Sequence, residues 1–260
     1  MFYEDILLST EATGVAVLRL NRPESGNALT SRMRSEIRHA IRHAPKVGAR
    51  VLVITGEGEG FCSGQDLGVG DTVNDLDLEG TLRQEYEPML RALYDCPIPT
   101  IAAVNGAAAG AGASLALGAD IVIARDGAMF LQAFTRIGLI PDAGGTYWLP
   151  RQVGLARAMG AALLAEPISA KQAAEWGMIW ETTPKSRFNA RVEEIAHRLA
   201  EGPTESYRMV KQAIRASFDN SLDAQLDLEA TLQGSAGRTR DFREGVLAIS
   251  EKRAPKFEGR

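Results

Sequence analysis

TIAAVNGAAAGAGASLALGADIVIA, residues 100 to 124, decides the fold class. TIAAV (100 to 104) and DIVIA (120 to 124) are short, β-branched-rich apolar runs bounded by Gly or Asp, the pattern of strands buried on both faces. Between them NGAAAGAGAS (105 to 114) is nearly all small residues, and 112 to 118 has helical composition. Strand, turn, helix and strand in that order make the repeating unit of a parallel sheet. VLVIT (51 to 55) supplies a further buried strand, and residues 79 to 95 read as the helix between it and TIAAV. Upstream, ILLSTEATGVAVLRL reads as a hairpin turning at Gly14. LNRPES breaks the second strand. From Thr30 or Ser31, a plausible N-cap, Met33, Ile37, Ala40, Ile41 and Ala44 recur at helical spacing until Pro45 stops them. The fold class is α/β with largely parallel strands.

After Gly144 the character changes: WLPRQVGLARAMGAALLAE, SAKQAAEWG, FNARVEEIAHRLAE, PTESYRMVKQAIRASF, LDAQLDLEATLQGS and RDFREGVLAISEKR are successive helical patterns, with MIWET (178 to 182) the one strand candidate. The organisation expected is a core over residues 1–200 and a C-terminal helical region over 201–260. DTVNDLDLEG, Asp71 to Gly80, is the most loop-like stretch and the best candidate for a mobile segment. The late helices carry more apolar faces than a small monomeric core could cover, which predicts self-association.

Of 260 residues, 45% are hydrophobic and 24% charged, as in ordinary globular proteins. Twenty-nine Lys and Arg face thirty-three Asp and Glu, a net charge of -4 with no block of one sign, so neither nucleic acid nor an anionic membrane is an expected partner. No run approaches the roughly twenty apolar residues a spanning helix needs. The start MFYEDILLST lacks the basic and apolar regions of a signal peptide, and the terminal EGR is not a peroxisomal tag. With two cysteines, Cys62 and Cys96, and no metal-ligand spacing, a reducing, cytoplasmic setting is expected.

Several motifs have bland readings that outweigh the chemical ones. GEGEG (56 to 60) has the wrong spacing for a dinucleotide loop, and neither a P-loop nor an HExxH motif occurs. His39 and His43 lie four apart on an Arg-rich helix face with no carboxylate to complete a metal site. GFCSG (60 to 64) has the form of a nucleophile elbow, but no patterned base accompanies Cys62, which reads as a small packed residue. FCSGQDL (61 to 67) and NGAAAGAGAS are harder to dismiss, because each places small residues just past a buried strand. There, unpaired backbone amides can point at a ligand, and two such loops could form an oxyanion hole. In GLIPDAGGT (138 to 146), Asp142 is an ordinary helix N-cap candidate. Its apolar setting among Ile137, Leu139, Ile140 and Trp148 would also raise its pKa and suit it to proton transfer.

LNRPESGNAL (20 to 29), FCSGQDL, AAVNGAAAGAGASLALGADI, GLIPDAGGT and the terminal EKRAPKF together resemble the crotonase (enoyl-CoA hydratase/isomerase) superfamily, nearly end to end and in order. The resemblance implies a crotonase-like spiral of ββα turns, a C-terminal helical region that trimerises, and a homotrimer or dimer of trimers. It implies an acyl-CoA thioester substrate whose carbonyl oxygen accepts two backbone N–H bonds as an enolate forms. Carried over, the donors are Ser63 and Ala111, with Gly110 as the alternative to Ala111. The adenine end of CoA is expected against Ser63, Gly64, Gln65, Asp66 and Leu67, and Lys252 at the position that reaches a CoA phosphate from a neighbouring subunit. No metal or other cofactor is implied, CoA being part of the substrate.

The resemblance also implies where this chain departs. Hydratases of the family hold water with two glutamates; the matching positions carry Ser114 and Phe134, neither of which can take and return a proton. Asp142 stands where isomerases of the family place an Asp. QDL, GAAAGAGASLALGADI, FLQAFTRIGLIPDAGGTYWLPR and AAEWGMIW are similar to the branch that converts ring-1,2-epoxyphenylacetyl-CoA to oxepin-CoA in phenylacetate degradation, and the scaffold also shifts 3-enoyl- to 2-enoyl-CoA. Glu24 stands where many relatives carry a basic or neutral residue near CoA, and Ile249 replaces a usual aromatic. The reading is an acyl-CoA isomerase with Asp142 as acid and base. Its rivals are an enoyl-CoA hydratase and a non-catalytic homologue that binds CoA or RNA.

Overall fold

The computed structural model describes residues 3–68 and 77–260. Strands β1 (Ile6–Thr10) and β2 (Val15–Leu20) pair antiparallel around Gly14, at a φ of 87°. Helix α1 (Ser31–His43) starts where Thr30 Oγ1 accepts the Met33 amide at 3.0 Å, and buries Met33, Ile37, Ala40 and Ile41. β3 (Val51–Gly56) follows. Helix α2 (Leu78–Thr81), a π-turn over Leu82–Tyr86 and α3 (Glu87–Tyr94) run on in helical backbone. Of the expected mobile segment, residues 71–76 lie outside the described residues. Asp77 to Gly80 form the capped start of α2, the Asp77 carboxylate accepting the Gly80 amide at 2.8 Å.

β4 (Thr100–Val104), β5 (Ala108–Ala109), α4 (Ala111–Leu117), β6 (Ile121–Arg125) and β7 (Met129–Leu131) complete the part set by the opening stretch. Then come α5 (Gly145–Val153), α6 (Leu155–Leu164), β8 (Ile168–Ser169), α7 (Ala170–Glu175), β9 (Glu181–Thr183), α8 (Phe188–Ala200), α9 (Thr204–Ala216), α10 (Leu222–Ala236) and α11 (Arg240–Ser250). The main sheet has the order β1-β2-β3-β4-β6-β9 and is parallel apart from the β1/β2 pair. A small sheet, β5-β7-β8, was not legible as strands because each member has only two or three residues, too few for a period-two pattern to register. The MIWET strand is displaced: Met178 and Ile179 are buried before the strand, and pairing begins at Glu181.

Alternation along β3 divides the core. Leu52 and Ile54 join the large cluster with Ile37, Ile41, Tyr86, Met89, Leu93 and Phe130, while Val51 and Val53 join Ile101 and Ile123 on the opposite face. That second face is covered by Phe188, Val192, Ala196 and Ala200, a four-residue repeat down one side of α8. With every position of β3 buried, the parallel strands must read as continuous apolar runs. Among the described residues no helix is long and apolar enough to cross a membrane.

Helix α9 is fastened to this core electrostatically. Asp120, at the start of β6, accepts Lys211 at 2.7 Å and Arg215 at 2.6 Å, and its Oδ2 also receives the Thr100 amide and hydroxyl, each at 2.8 Å. Lys211 and Arg215 side chains are only 10% and 20% exposed, so deleting the carboxylate charge strands two cations in a nearly closed setting. Asp120→Asn is expected to lower the unfolding free energy by about 3 kcal/mol, the usual loss when one partner of a buried pair is removed. A urea titration showing a loss below about 1 kcal/mol would mean that α9 is held by its apolar contacts alone.

Candidate active site

The two glycine-rich loops meet. After β3 the chain reaches Cys62, which makes a parallel bridge with Ala108: the Cys62 amide donates to Ala107 O at 3.1 Å, and the Ala109 amide to Cys62 O at 2.9 Å. Gly112 packs directly on this bridge, since a Cβ there would collide with the Cys62 carbonyl and sit 2.7 Å from the Cys62 Cβ. At Gly64, whose φ is 102°, a Cβ would lie 2.9 Å from Ala109 O and 3.5 Å from the Ala111 nitrogen. Peptides 64 and 111 are therefore neighbours, as two converging donors require. Cys62 is buried and its thiol is pushed up to about 12 by desolvation, so it is a packed residue and no nucleophile at neutral pH.

Hydrogen bonds decide which amides remain to serve a ligand. The Ser63 amide donates to Gly26 O at 2.9 Å and its hydroxyl to Ser25 O at 3.1 Å. Ser63 is thus tied to the Pro23–Gly26 turn, and the expectation that its N–H is an oxyanion donor is corrected. Two residues on, Leu29 makes a parallel bridge with Gln65 that uses the Leu29 and Asp66 amides but leaves the Gln65 N–H without a backbone acceptor among the described residues. Gly110, the alternative to Ala111, is likewise excluded, because its amide donates to Leu131 O at 2.8 Å. Ala111 opens α4, so its N–H has no intrahelical acceptor. The Gln65 and Ala111 amides are therefore free, as is that of Gly112, the next residue of α4. Asp66 braces the first loop: Arg22 donates to its carboxylate at 2.8 Å and to Ala28 O at 2.8 Å, and holds the Asp66 carboxyl below the usual range. Leu67 is 38% exposed beyond it.

Asp142 is not a helix cap. Helix α5 is preceded by Gly144 at a φ of 83° with no side-chain cap, and Ala143 before it is also left-handed at 49°. This turn rotates the Asp142 side chain away from the helix end. It is held through the Asp142 carbonyl, which accepts the Gly145 amide at 2.8 Å and the Ser114 hydroxyl at 2.9 Å. Ser114 therefore positions the turn. The ring of Phe134 lies against Gly110, where a Cβ would be 3.7 Å from it. The Asp142 Oδ1 atom is buried with no hydrogen-bond partner among the described residues, and burial lifts the carboxyl from 3.8 to about 6. Beside Asp142 lies a cavity of about 670 Å³ lined by Leu82, Tyr86, Leu90, Tyr94, Ile140 and Trp148, among others. Its other carboxylates, Glu87 and Asp219, are exposed. Sequence reasoning missed Gln132, 1% exposed next to Ser114 and Gly145 with both amide atoms unpartnered among the described residues.

Lys252 lies two residues past α11 at a φ of 54°, is exposed and does not line this cavity. His39 stacks on His43 at 5.7 Å and binds the Tyr3 hydroxyl at 2.8 Å; among the described residues no group of His, Cys, Asp and Glu could hold a metal ion.

The free Gln65 and Ala111 amides lie in two adjoining loops of an α/β fold, and the desolvated Asp142 carboxylate lines a cavity whose described lining does not include them. The chain belongs to the enoyl-CoA hydratase/isomerase family, whose model matches residues 10–260, and its fold is the crotonase fold. It is 58% identical over 247 residues to a Rhodobacter capsulatus protein described as "Probable enoyl-CoA hydratase", covering 95% of each chain. It is 46% identical over 260 residues to the 1,2-epoxyphenylacetyl-CoA isomerase of Escherichia coli, covering 98% of this chain and 99% of that one. The crystal structure of the Bacillus anthracis enoyl-CoA hydratase superposes with a TM-score of 0.91 at 30% identity, covering 99% and 100% of the two chains.

Burial disfavours the charged carboxylate, so Asp142 removes stability as pH rises from about 3.8 through about 6. An amide carries no such charge. Asp142→Asn is expected to melt at or above wild type near pH 7 and to lose that advantage near pH 4, read by calorimetry at both pH values. A variant that melts lower at pH 7 by the same margin as at pH 4 would show that this carboxylate is not desolvated.

Proposed function

We propose that the protein is an acyl-CoA isomerase that moves a proton through a thioester enolate, with Asp142 as both base and acid. The carrying observation is the Oδ1 of Asp142, buried without a hydrogen-bond partner among the described residues, on a carboxyl raised to about 6 at the wall of an aromatic-lined cavity. A group with that pKa is mostly carboxylate at neutral pH, yet basic enough to accept a proton and return it. Ser114, bound to the Asp142 carbonyl, and Phe134, an apolar side chain, supply no second carboxylate to activate water.

In the 3-enoyl case the Asp142 carboxylate takes a proton from C2. Electron density moves onto the thioester oxygen, which accepts the Gln65 and Ala111 amides, and the Asp142 carboxylic acid then delivers the proton to C4 to give the 2-enoyl thioester. Preformed donors at such an oxygen contribute about 3 to 4 kcal/mol per contact. A ring-1,2-epoxyphenylacetyl thioester, isomerised to the oxepin, suits the lining better. Tyr86, Tyr94, Tyr147 and Trp148 present aromatic surface to a ring, and the Escherichia coli relative named for that reaction is 46% identical. The adenine end of CoA lies along Ser63 to Leu67, with Lys252 reaching a CoA phosphate from a neighbouring subunit of a trimer or dimer of trimers. The half-exposed Val210, Leu226, Phe242 and Val246 of α9, α10 and α11 support that assembly. The setting is cytoplasmic.

A hydratase is the second reading, favoured by the name of the 58% identical relative. Asp142→Asn should lower isomerase turnover at least about a hundred-fold with CoA-thioester affinity kept, Ser114→Ala should lower it far less, and wild-type kcat/KM should fall below pH about 6. Crotonyl-CoA hydration as fast as any isomerisation, or full turnover in Asp142→Asn, would overturn the isomerase reading. Light scattering that shows only monomer would remove the role of Lys252.

A further inference from the structure

The Asp142 cavity has a neighbour. A second cavity of about 430 Å³ lies between the core and α9, lined by Leu117, Ile121, Leu199, Val210 and Ile214 among others, and the two share Tyr94, Tyr147 and Trp148. Those three rings form a partition. Tyr94 stacks on Trp148 with centroids 5.7 Å apart and planes 24° from parallel, and Tyr147 meets Trp148 edge-on at 4.7 Å. Guanidinium groups that line the second cavity brace it from behind. Arg151 sits 3.6 Å above the Tyr147 centroid and Arg215 4.3 Å above that of Tyr94. Arg215 is itself fixed by Asp120 at 2.6 Å and donates to the Tyr94 carbonyl. In front, any side chain at Gly144 would strike the Trp148 indole, so the wall stands directly on the turn that carries Asp142.

We propose that the Tyr94–Trp148 pair is the end wall of the acyl cavity and sets the length of acyl group the enzyme accepts, excluding long straight chains from the apolar space behind it. The proposal rests on the reading of this cavity as the acyl site. It follows from packing: rings held between cations on one side and the Asp142 turn on the other cannot swing aside without breaking those contacts. Acyl groups that stop at the wall bury each added carbon. Longer ones must fold back or stay in water.

Saturated acyl-CoAs from butanoyl to hexadecanoyl, which cannot isomerise, test this by calorimetric titration of wild type, Tyr94→Ala and Trp148→Leu. Affinity should rise about fourfold per methylene while the chain is being buried, then stop rising at a medium length in wild type. Either variant joins the two cavities. The break should then move to longer chains, with at least a tenfold gain for tetradecanoyl-CoA relative to butanoyl-CoA. Circular dichroism identifies a variant that fails to fold, in which case the other decides, and the wild-type break is a readout that needs neither. A wild-type series that climbs without a break, or a break unmoved in a folded variant, overturns the wall. Wild type that binds no acyl-CoA of any length removes the acyl-CoA reading and the wall with it.

Discussion

The site depends on one close approach: the peptide at Cys62 lies against Ala107–Ala109 and the first turn of α4 with no side chain between them. Glycines make that possible. At Gly106 and Gly112 a Cβ would overlap the Glu59 and Cys62 carbonyl oxygens of the facing loop, so the loops after β3 and β4 can meet only where Cβ atoms are missing. Once they meet, hydrogen bonds occupy the amides of Phe61, Cys62, Ser63, Asp66, Ala109 and Gly110. The Gln65 and Ala111 N–H groups are left over, because one follows the left-handed Gly64 and the other begins a helix. The free Gln65 and Ala111 donors are thus a by-product of how the bonds between the two loops are arranged.

Asp142 is governed by the opposite rule. Its main-chain oxygen is doubly bonded, to the Gly145 amide and the Ser114 hydroxyl, whereas one carboxylate oxygen is buried with no partner among the described residues. Fixing the backbone and starving the side chain keeps the carboxyl in place while making its charge unfavourable. A left-handed Ala143 adds local strain, of the kind that persists where packing over-determines the backbone. Ser114 is the support on one side of this turn, its hydroxyl donating to the Asp142 carbonyl.

The C-terminal helices tie this chemistry to the rest of the molecule. Asp120 grips α9 through Lys211 and Arg215, and Arg215 also covers the face of Tyr94. A charge network at the start of β6 is thereby continuous with the aromatic lining of the cavity. The order of the wall depends on that helix being seated.

Read alone, the sequence determined what depends on composition over a few adjacent residues. The buried runs of β3, β4 and β6, the Thr30 cap, the turn at Gly14 and the helical stripe of α8 all carry their burial in their spacing, and the ordered set of glycine-rich motifs carried the family. Asp142 stood out as an acidic residue among apolar neighbours in sequence, of which Ile140 and Trp148 line its cavity while Ile137 is exposed and does not. What only the tertiary structure decided was which amides are free. Ser63 and Gln65 are equivalent in composition, and the choice between them rests on a bond to Gly26, thirty-seven residues away in sequence, and a bridge to Leu29. The small β5-β7-β8 sheet, the buried Gln132 and the three-ring partition were hidden for the same reason. Their existence is set by contacts between distant segments, and a local pattern holds no record of which distant segment a residue will meet.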